Sequence, residues 1–181
     1  MTFKELSLPG VFQIELSPFN DDRGQFTRLF CKQELKSLGI DKDINQINLS
    51  HTNNKFSIRG LHFQYPPFAE TKIIYCLKGK ILDVVVDIRK NSPTFLQHLS
   101  IELSENISNA LLIPEGFAHG FQTLENDTEI VYFHTQKYNS EFEGGLHYAD
   151  PILKINWRNE PTDISDKDNK RQKIDINFTG I

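Results

Sequence analysis

The sequence predicts an all-β protein, an antiparallel sandwich or barrel, and three observations carry that prediction. Apolar and polar residues alternate with period two through much of the chain from residue 59 onward. Turn formers such as Lys78-Gly79 and Asn126-Asp127 punctuate the alternating runs. Helical periodicity is scarce, with one short candidate over residues 32–38 that Gly39 closes.

Taken in order, the predicted strands are as follows. Residues 59–64 form the first, and residues 73–77 the next. Lys78-Gly79 then supplies a tight turn into residues 80–88. In that run Leu82, Val84, Val86 and Ile88 share a core-facing side, and Asp83 and Asp87 share the other. Leu99, Ile101 and Leu103 alternate again, residues 110–113 form a short apolar run closed by Pro114, and residues 129–135 are rich in β-formers. The polar tail from Pro161 has room for a turn or two of helix. A barrel of this kind has a mouth or lumen in which a small ligand can bind.

Composition narrows the function. The 181 residues suit a single domain that can bury a core without disulfide or metal staples. Lys and Arg number 20 against 24 Asp and Glu, and no basic tract occurs, so no nucleic-acid surface is expected. Cys31 and Cys76 cannot build a disulfide framework and read as reduced thiols of a cytoplasmic protein. The N-terminal stretch carries an early acid and lacks the apolar run of a signal peptide. No segment approaches the roughly 18 apolar residues of a membrane span.

Two histidines stand in unusual surroundings. His62 lies in Arg59-Gly60-Leu61-His62-Phe63-Gln64, where strand alternation puts Gly60, His62 and Gln64 on one face and Leu61 and Phe63 on the other. That face either looks into a wet cavity or carries an ordinary hydrogen-bonded histidine. His119 lies in an apolar loop bracketed by Pro114, Gly116 and Gly120, where its partner is either a ligand or a backbone carbonyl. Pairing 59–64 with 72–77 as a hairpin would bring Lys72 near His62, where an ammonium can stabilise an oxyanion. Tyr132 and His134 share a strand face opposite Val131 and Phe133, and the phenol is a proton donor or a lining ring. His62, Gln64, Glu70 and His119 are the one set that could hold a metal. No histidine pair at i and i+2 exists among them, so no metal site is expected. No phosphate loop, dinucleotide fingerprint or serine nucleophile elbow occurs.

Several segments together resemble one known family. They are Arg59 to Gln64 followed by Pro66-Pro67, Asp83 to Arg89 with Ser92-Pro93-Thr94-Phe95, and Pro114-Glu115-Gly116-Phe117-Ala118-His119-Gly120-Phe121. Asp22-Arg23-Gly24-Gln25-Phe26, Gln46, Asn48, Ser50, Tyr132, Tyr138, Asp150-Pro151, Trp157 and Ser165-Asp166-Lys167-Asp168 fit in the same order. The chain resembles the dTDP-4-dehydrorhamnose 3,5-epimerases from about Gly10 to Asp168. The resemblance implies a cupin-like jelly roll with its core at about residues 10–158 and a polar tail at 159–181, all in one domain. It implies an isomerase that inverts carbons beside the C4 ketone of a nucleotide-linked 6-deoxy sugar, for deoxysugar and surface polysaccharide synthesis. His62 would be the base, Asp168 its orienting carboxylate, Lys72 the counter-charge to the enolate, and Tyr132 the acid on the opposite face. Arg59, His119, Gln46, Asn48, Tyr138, Arg23, Phe26 and Arg28 would bind the substrate, with Arg23 reaching in from a dimer partner. The resemblance implies no cofactor and no metal, because the ketone itself acidifies the proton, and it implies a homodimer.

Three positions depart from the family pattern. Arg28 stands where a glutamate is usual, Phe68 where a histidine is common and Tyr148 where a tryptophan is common. A carboxylate accepts the N3–H of thymine, whereas a guanidinium only donates and suits the acceptors of cytosine. A C5-epimerase of a CDP-linked 4-keto-3,6-dideoxyhexose is therefore the alternative, and a sugar-binding cupin without turnover is a second. A ketoisomerase or a metal-dependent cupin ranks below these.

Overall fold

The structure is a computed structural model that describes residues 1–181. In chain order its elements are β1 (Thr2–Glu5), β2 (Phe12–Glu15), β3 (Phe19–Asp21), β4 (Gly24–Phe26), α1 (Lys32–Lys36), β5 (Gln46–Thr52), β6 (Ile58–Gln64), β7 (Lys72–Lys78) and β8 (Lys80–Asp87), followed by β9 (His98–Ser104), β10 (Asn109–Ile113), β11 (Phe117–Thr123), β12 (Thr128–His134), β13 (Glu143–Gly145) and α2 (Asp166–Asn169). A six-stranded sheet runs β1-β2-β10-β7-β12-β5 and a five-stranded sheet runs β13-β6-β11-β8-β9. A separate hairpin pairs β3 with β4. No helix is long and apolar enough to cross a membrane.

Three apolar clusters hold the layers. The inner one joins both sheets through Ile74, Val85, Leu103, Leu111, Phe121 and Ile130, all buried. Burying side chains of this size is worth about 1.5–3 kcal/mol each. A second cluster covers the outer face of the six-stranded sheet with Leu35 of α1, together with Ile73, Tyr75, Leu112 and Val131. The third covers the other sheet, where Leu82, Val84, Val86 and Ile88 meet Leu153, Trp157, Phe178 and Ile181.

That third cluster corrects the expectation for β8. The side bearing Leu82 to Ile88 is buried as predicted, but so is the side bearing the aspartates. Asp83 and Asp87 are both 0% exposed, because the sheet is sandwiched on both faces. Asp87 keeps its charge there. Burial pushes its carboxyl up, but donation from Arg89, Ser92 and Thr94 outweighs burial and holds it at about 2.

Other expectations need correction. Residues 59–64 and 72–77 form no hairpin, since β6 and β7 lie in different sheets. Lys78-Gly79 likewise carries the chain from one sheet to the other. Gly79 has φ +76°, and an added Cβ there would lie 2.7 Å from the Thr128 hydroxyl. His119 lies on β11 and not in a loop. The six-stranded sheet already includes residues from Thr2, ahead of the predicted start near residue 10.

The polar tail is built into the packing. Ile174, Phe178 and Ile181 pack on the outer cluster, and the Ile181 amide donates to Ile88 O at 2.8 Å. The predicted helix at 32–38 forms as α1, two residues shorter, with Gly39 beyond it at φ +81°. The predicted turn of helix in the tail is α2, capped by Ser165, whose hydroxyl accepts from the Asp168 amide at 3.1 Å.

Candidate active site

The two sheets and the tail enclose a cavity of about 740 Å³. Strands β6 and β11 form one wall, β5, β7 and β12 the other, and residues 163–168 part of the rim.

A register irregularity shapes the first wall. His119 pairs with His62, and Phe121 pairs with Arg59. Two steps on β11 thus oppose three on β6, which is a β-bulge. Simple alternation would point Arg59 and His62 to opposite faces, yet both line the cavity. Gly60 sits in the bulge with φ +114°. A Cβ there would lie 2.6 Å from Gly120 Cα and 2.7 Å from His119 O, so only glycine fits.

Each histidine on this wall has its own carboxylate. His62 Nε2 lies 2.6 Å from Asp168 Oδ1, and Gly60 N donates to Asp168 Oδ2 at 3.2 Å. Burial raises the Asp168 carboxyl, but the bonds from His62, Gly60 and Ser165 outweigh it and keep the group ionised. The His62 side chain stays 38% exposed, so its ring opens on the cavity. His119 Nε2 lies 2.9 Å from Asp83 Oδ2. Burial pushes the Asp83 carboxyl up, opposed by His119 and Lys72.

The facing wall carries Tyr132. Its ring meets His119 edge-on at 6.3 Å and stacks on His134 at 5.9 Å. Burial and the Asp83 charge push the phenol up, so it stays protonated near neutral pH. Lys72 opens β7, with its ammonium 3.0 Å from Glu70 Oε1. On β5, Gln46 Nε2 donates to Asn48 Oδ1 at 3.1 Å. Gln46 Oε1 accepts from the Tyr138 amide at 3.0 Å, and the Tyr138 hydroxyl donates to Glu143 at 2.6 Å.

Of the residues singled out in the sequence, the fold brings together His62, Lys72, Tyr132, Asp168, Arg59, His119, Gln46, Asn48 and Tyr138. It leaves Arg23, Phe26 and Arg28 outside this cavity. Arg23 and Phe26 lie on the exposed β3–β4 hairpin, where Arg23 pairs with Asp21 at 2.6 Å. Arg28 pairs with Glu34 at 2.9 Å. The four residues weighed as a metal set are each engaged elsewhere. Gln64 donates to Phe68 O, Glu70 meets Lys72 and His134, and the two histidines hold their aspartates. No three side chains able to hold a metal converge.

Sequence reasoning missed Asp83, and it weighed Glu70 only as a metal ligand. A carboxylate in the middle of the apolar run of β8 is the available signal, since a buried charge needs a partner. Strand alternation places His134 beside Tyr132 but gives no sign of its bond to Glu70.

Residues 5–175 match the family described as dTDP-4-dehydrorhamnose 3,5-epimerase. This chain belongs to the dTDP-4-dehydrorhamnose 3,5-epimerase family. Among its relatives, the enzyme of that name from Sinorhizobium fredii is 39% identical over 175 residues, covering 96% of this chain and 90% of the relative. The crystal structure of the Bacillus anthracis enzyme, with TDP and pyrophosphate bound, superposes with a TM-score of 0.92 at 38% identity, covering 96% of this chain and 99% of that one. The Legionella pneumophila enzyme in complex with dTDP-4-keto-L-rhamnose superposes with a TM-score of 0.90 at 34% identity, covering 95% and 92%. The fold of this family member is thus the cupin-like jelly roll expected from the sequence, and the protein is an epimerase.

Proposed function

We propose that this epimerase inverts C3 and C5 of a dTDP-linked 4-keto-6-deoxyhexose by proton transfer across the cavity. The observation that carries the reading is the opposition of two proton handlers, the His62–Asp168 pair on one wall and the protonated Tyr132 phenol on the other. A C–H beside a ketone is weakly acidic, so its removal needs a base and a stabilised enolate.

In this reading His62 takes the α-proton through Nδ1, the ring nitrogen not bound to Asp168. The C–H electron pair moves into a carbon–carbon double bond as the C4 oxygen becomes an enolate. Asp168 stabilises the imidazolium, and the Lys72 ammonium faces the enolate oxygen. Tyr132 then delivers a proton to the opposite face of the carbon. That return is what turns exchange into inversion. His119, fixed by Asp83, holds the sugar, and Arg59 holds the diphosphate, with Gln46, Asn48 and Tyr138 completing the nucleotide end. Proton exchange with water then returns the imidazolium and the phenolate to their starting states before the second carbon is inverted.

The same reading makes residues 1–181 one domain, because the tail supplies Asp168 to the core's histidine. It also makes the protein a cytoplasmic homodimer. Phe19 and Phe26 on the hairpin are 67% and 75% exposed, and Ile47 and Leu49 on the edge strand β5 are 58% and 63% exposed. Apolar side chains in this number call for a cover, and a second copy would bring Arg23, Phe26 and Arg28 to the neighbouring cavity.

Incubation with dTDP-4-keto-6-deoxyglucose in D2O tests the proposal. Deuterium at both C3 and C5 with inverted product is the expected result. Exchange only at C5, and only with a CDP-linked dideoxy sugar, would overturn it for the alternative read from Arg28. No exchange with any of these sugars would favour a binding protein.

A further inference from the structure

One buried carboxylate in the cavity is left without a role by this chemistry. Glu70, in the loop before β7, uses both of its oxygens on cavity residues. Oε1 lies 3.0 Å from the Lys72 ammonium, and Oε2 lies 2.9 Å from His134 Nδ1. Lys72 and His134 are direct cross-strand partners on β7 and β12. Two basic side chains set opposite one another repel whenever both carry charge, and a carboxylate between them removes that repulsion. Burial raises the Glu70 carboxyl, but His134 and Lys72 outweigh burial and keep it ionised. Beyond His134 the chain of contacts continues. Its ring stacks on Tyr132 at 5.9 Å with 22° between planes, and its Nε2 lies 3.4 Å from Asn48 Nδ2.

We propose that Glu70 and His134 are positioning residues that tie the enolate-facing Lys72 to the proton-returning Tyr132. Glu70 fixes the ammonium and the imidazole from one side chain, and the imidazole then fixes the plane of the phenol. This inference rests on the epimerase reading above. Its physical basis is that proton return needs the phenol oxygen within hydrogen-bond reach of one carbon, and a ring able to tilt loses that geometry. A packed aromatic neighbour restricts the tilt.

The two steps of the reaction separate in D2O. Proton removal and return by His62 gives deuterium with retained configuration, and return by Tyr132 gives inversion. Replacing His134 by Ala is expected to raise the ratio of retained wash-in to inversion on the order of 10-fold, because only the Tyr132 step is disturbed. His134→Phe keeps a ring on Tyr132 and is expected to return the ratio to within about twofold of the unmodified protein. Glu70→Gln, which weakens the hold on both Lys72 and His134, is expected to slow wash-in on the order of 10-fold and also to raise the ratio of retained wash-in to inversion; an unchanged ratio there would overturn the tie through Glu70. Binding of dTDP should be unchanged in all three, which excludes a collapsed cavity.

Equal loss of wash-in and inversion in His134→Ala, an unchanged ratio, or His134→Phe behaving like His134→Ala would overturn the proposal while leaving the epimerase reading intact. Absence of both reactions in the unmodified protein would overturn both readings together.

Discussion

His62 and His119 are direct partners on adjacent strands, and each imidazole is held by a carboxylate from a different part of the chain. Asp168 comes from the C-terminal tail, 106 residues along the sequence from His62, and Asp83 from β8, 36 residues from His119. The two pairs differ in access. The His62 side chain is 38% exposed to the cavity, whereas that of His119 is 6% exposed. An open imidazole is free to take a proton from a substrate, and an enclosed one is better suited to holding a substrate oxygen. That difference in access supports the roles proposed above, His62 as base and His119 as binder.

Removing the base should separate chemistry from binding. His62→Asn is expected to lower turnover on the order of 10²–10⁴-fold while dTDP binding, read by calorimetry, stays intact. Asp168→Asn should act in the same direction with a smaller loss, because the imidazole remains but its charged partner is gone. Unchanged turnover in His62→Asn would remove His62 from its role.

Tyr132→Phe keeps the ring and deletes the proton. Deuterium wash-in should continue, since His62 is untouched, while inverted product falls on the order of 10²-fold. Polarimetry and mass shift on the same sample check this. Inversion at the unmodified rate would mean that another group returns the proton.

Gly60→Ala should distort the site through the backbone. The residue has φ +114°, and the added Cβ would lie 2.6 Å from Gly120 Cα. The expected cost is about 1–3 kcal/mol of stability in urea unfolding, with weakened dTDP binding as Arg59 leaves the cavity. A stability loss without any change in binding would argue that the bulge does not set the direction of Arg59.

Acid should weaken the fold through Asp87. Its carboxyl titrates at about 2 in the folded chain, against about 4 when unfolded. The folded value is the lower one, so the stabilisation is fully present above pH ~4 and is lost as pH falls toward 2. The difference is worth roughly 2.5 kcal/mol at neutral pH. Asp87→Asn should therefore destabilise the protein at pH 7 and about half as much at pH 3. An equal gap at both pH values would show that the charge of Asp87 contributes nothing.

What the sequence determined by itself was the local periodicity and the chemistry of particular side chains. Alternation marked β8 and β9, a short apolar run marked β10, richness in β-formers marked β12, Gly39 marked the end of α1, and the motifs around His62, His119 and Asp168 pointed to a proton-transferring family. These signals are short in range, so they survive reading in one dimension. Partner choice between strands is not short in range. β6 and β7 are neighbours in sequence but belong to opposite sheets, because each buries its apolar side chains in a different cluster. Lys72 therefore meets His62 across a cavity and not across a hairpin. The tertiary structure alone also decided that Arg59 and His62 share a face, since the bulge at Gly60 exists only where β6 crosses Gly120 of β11. It decided, too, how the polar tail, already expected to supply Asp168, packs against the rim of the site. Its sparse apolar residues, Ile174, Phe178 and Ile181, find a hydrophobic surface only on the outer face of the five-stranded sheet, which they help to cover.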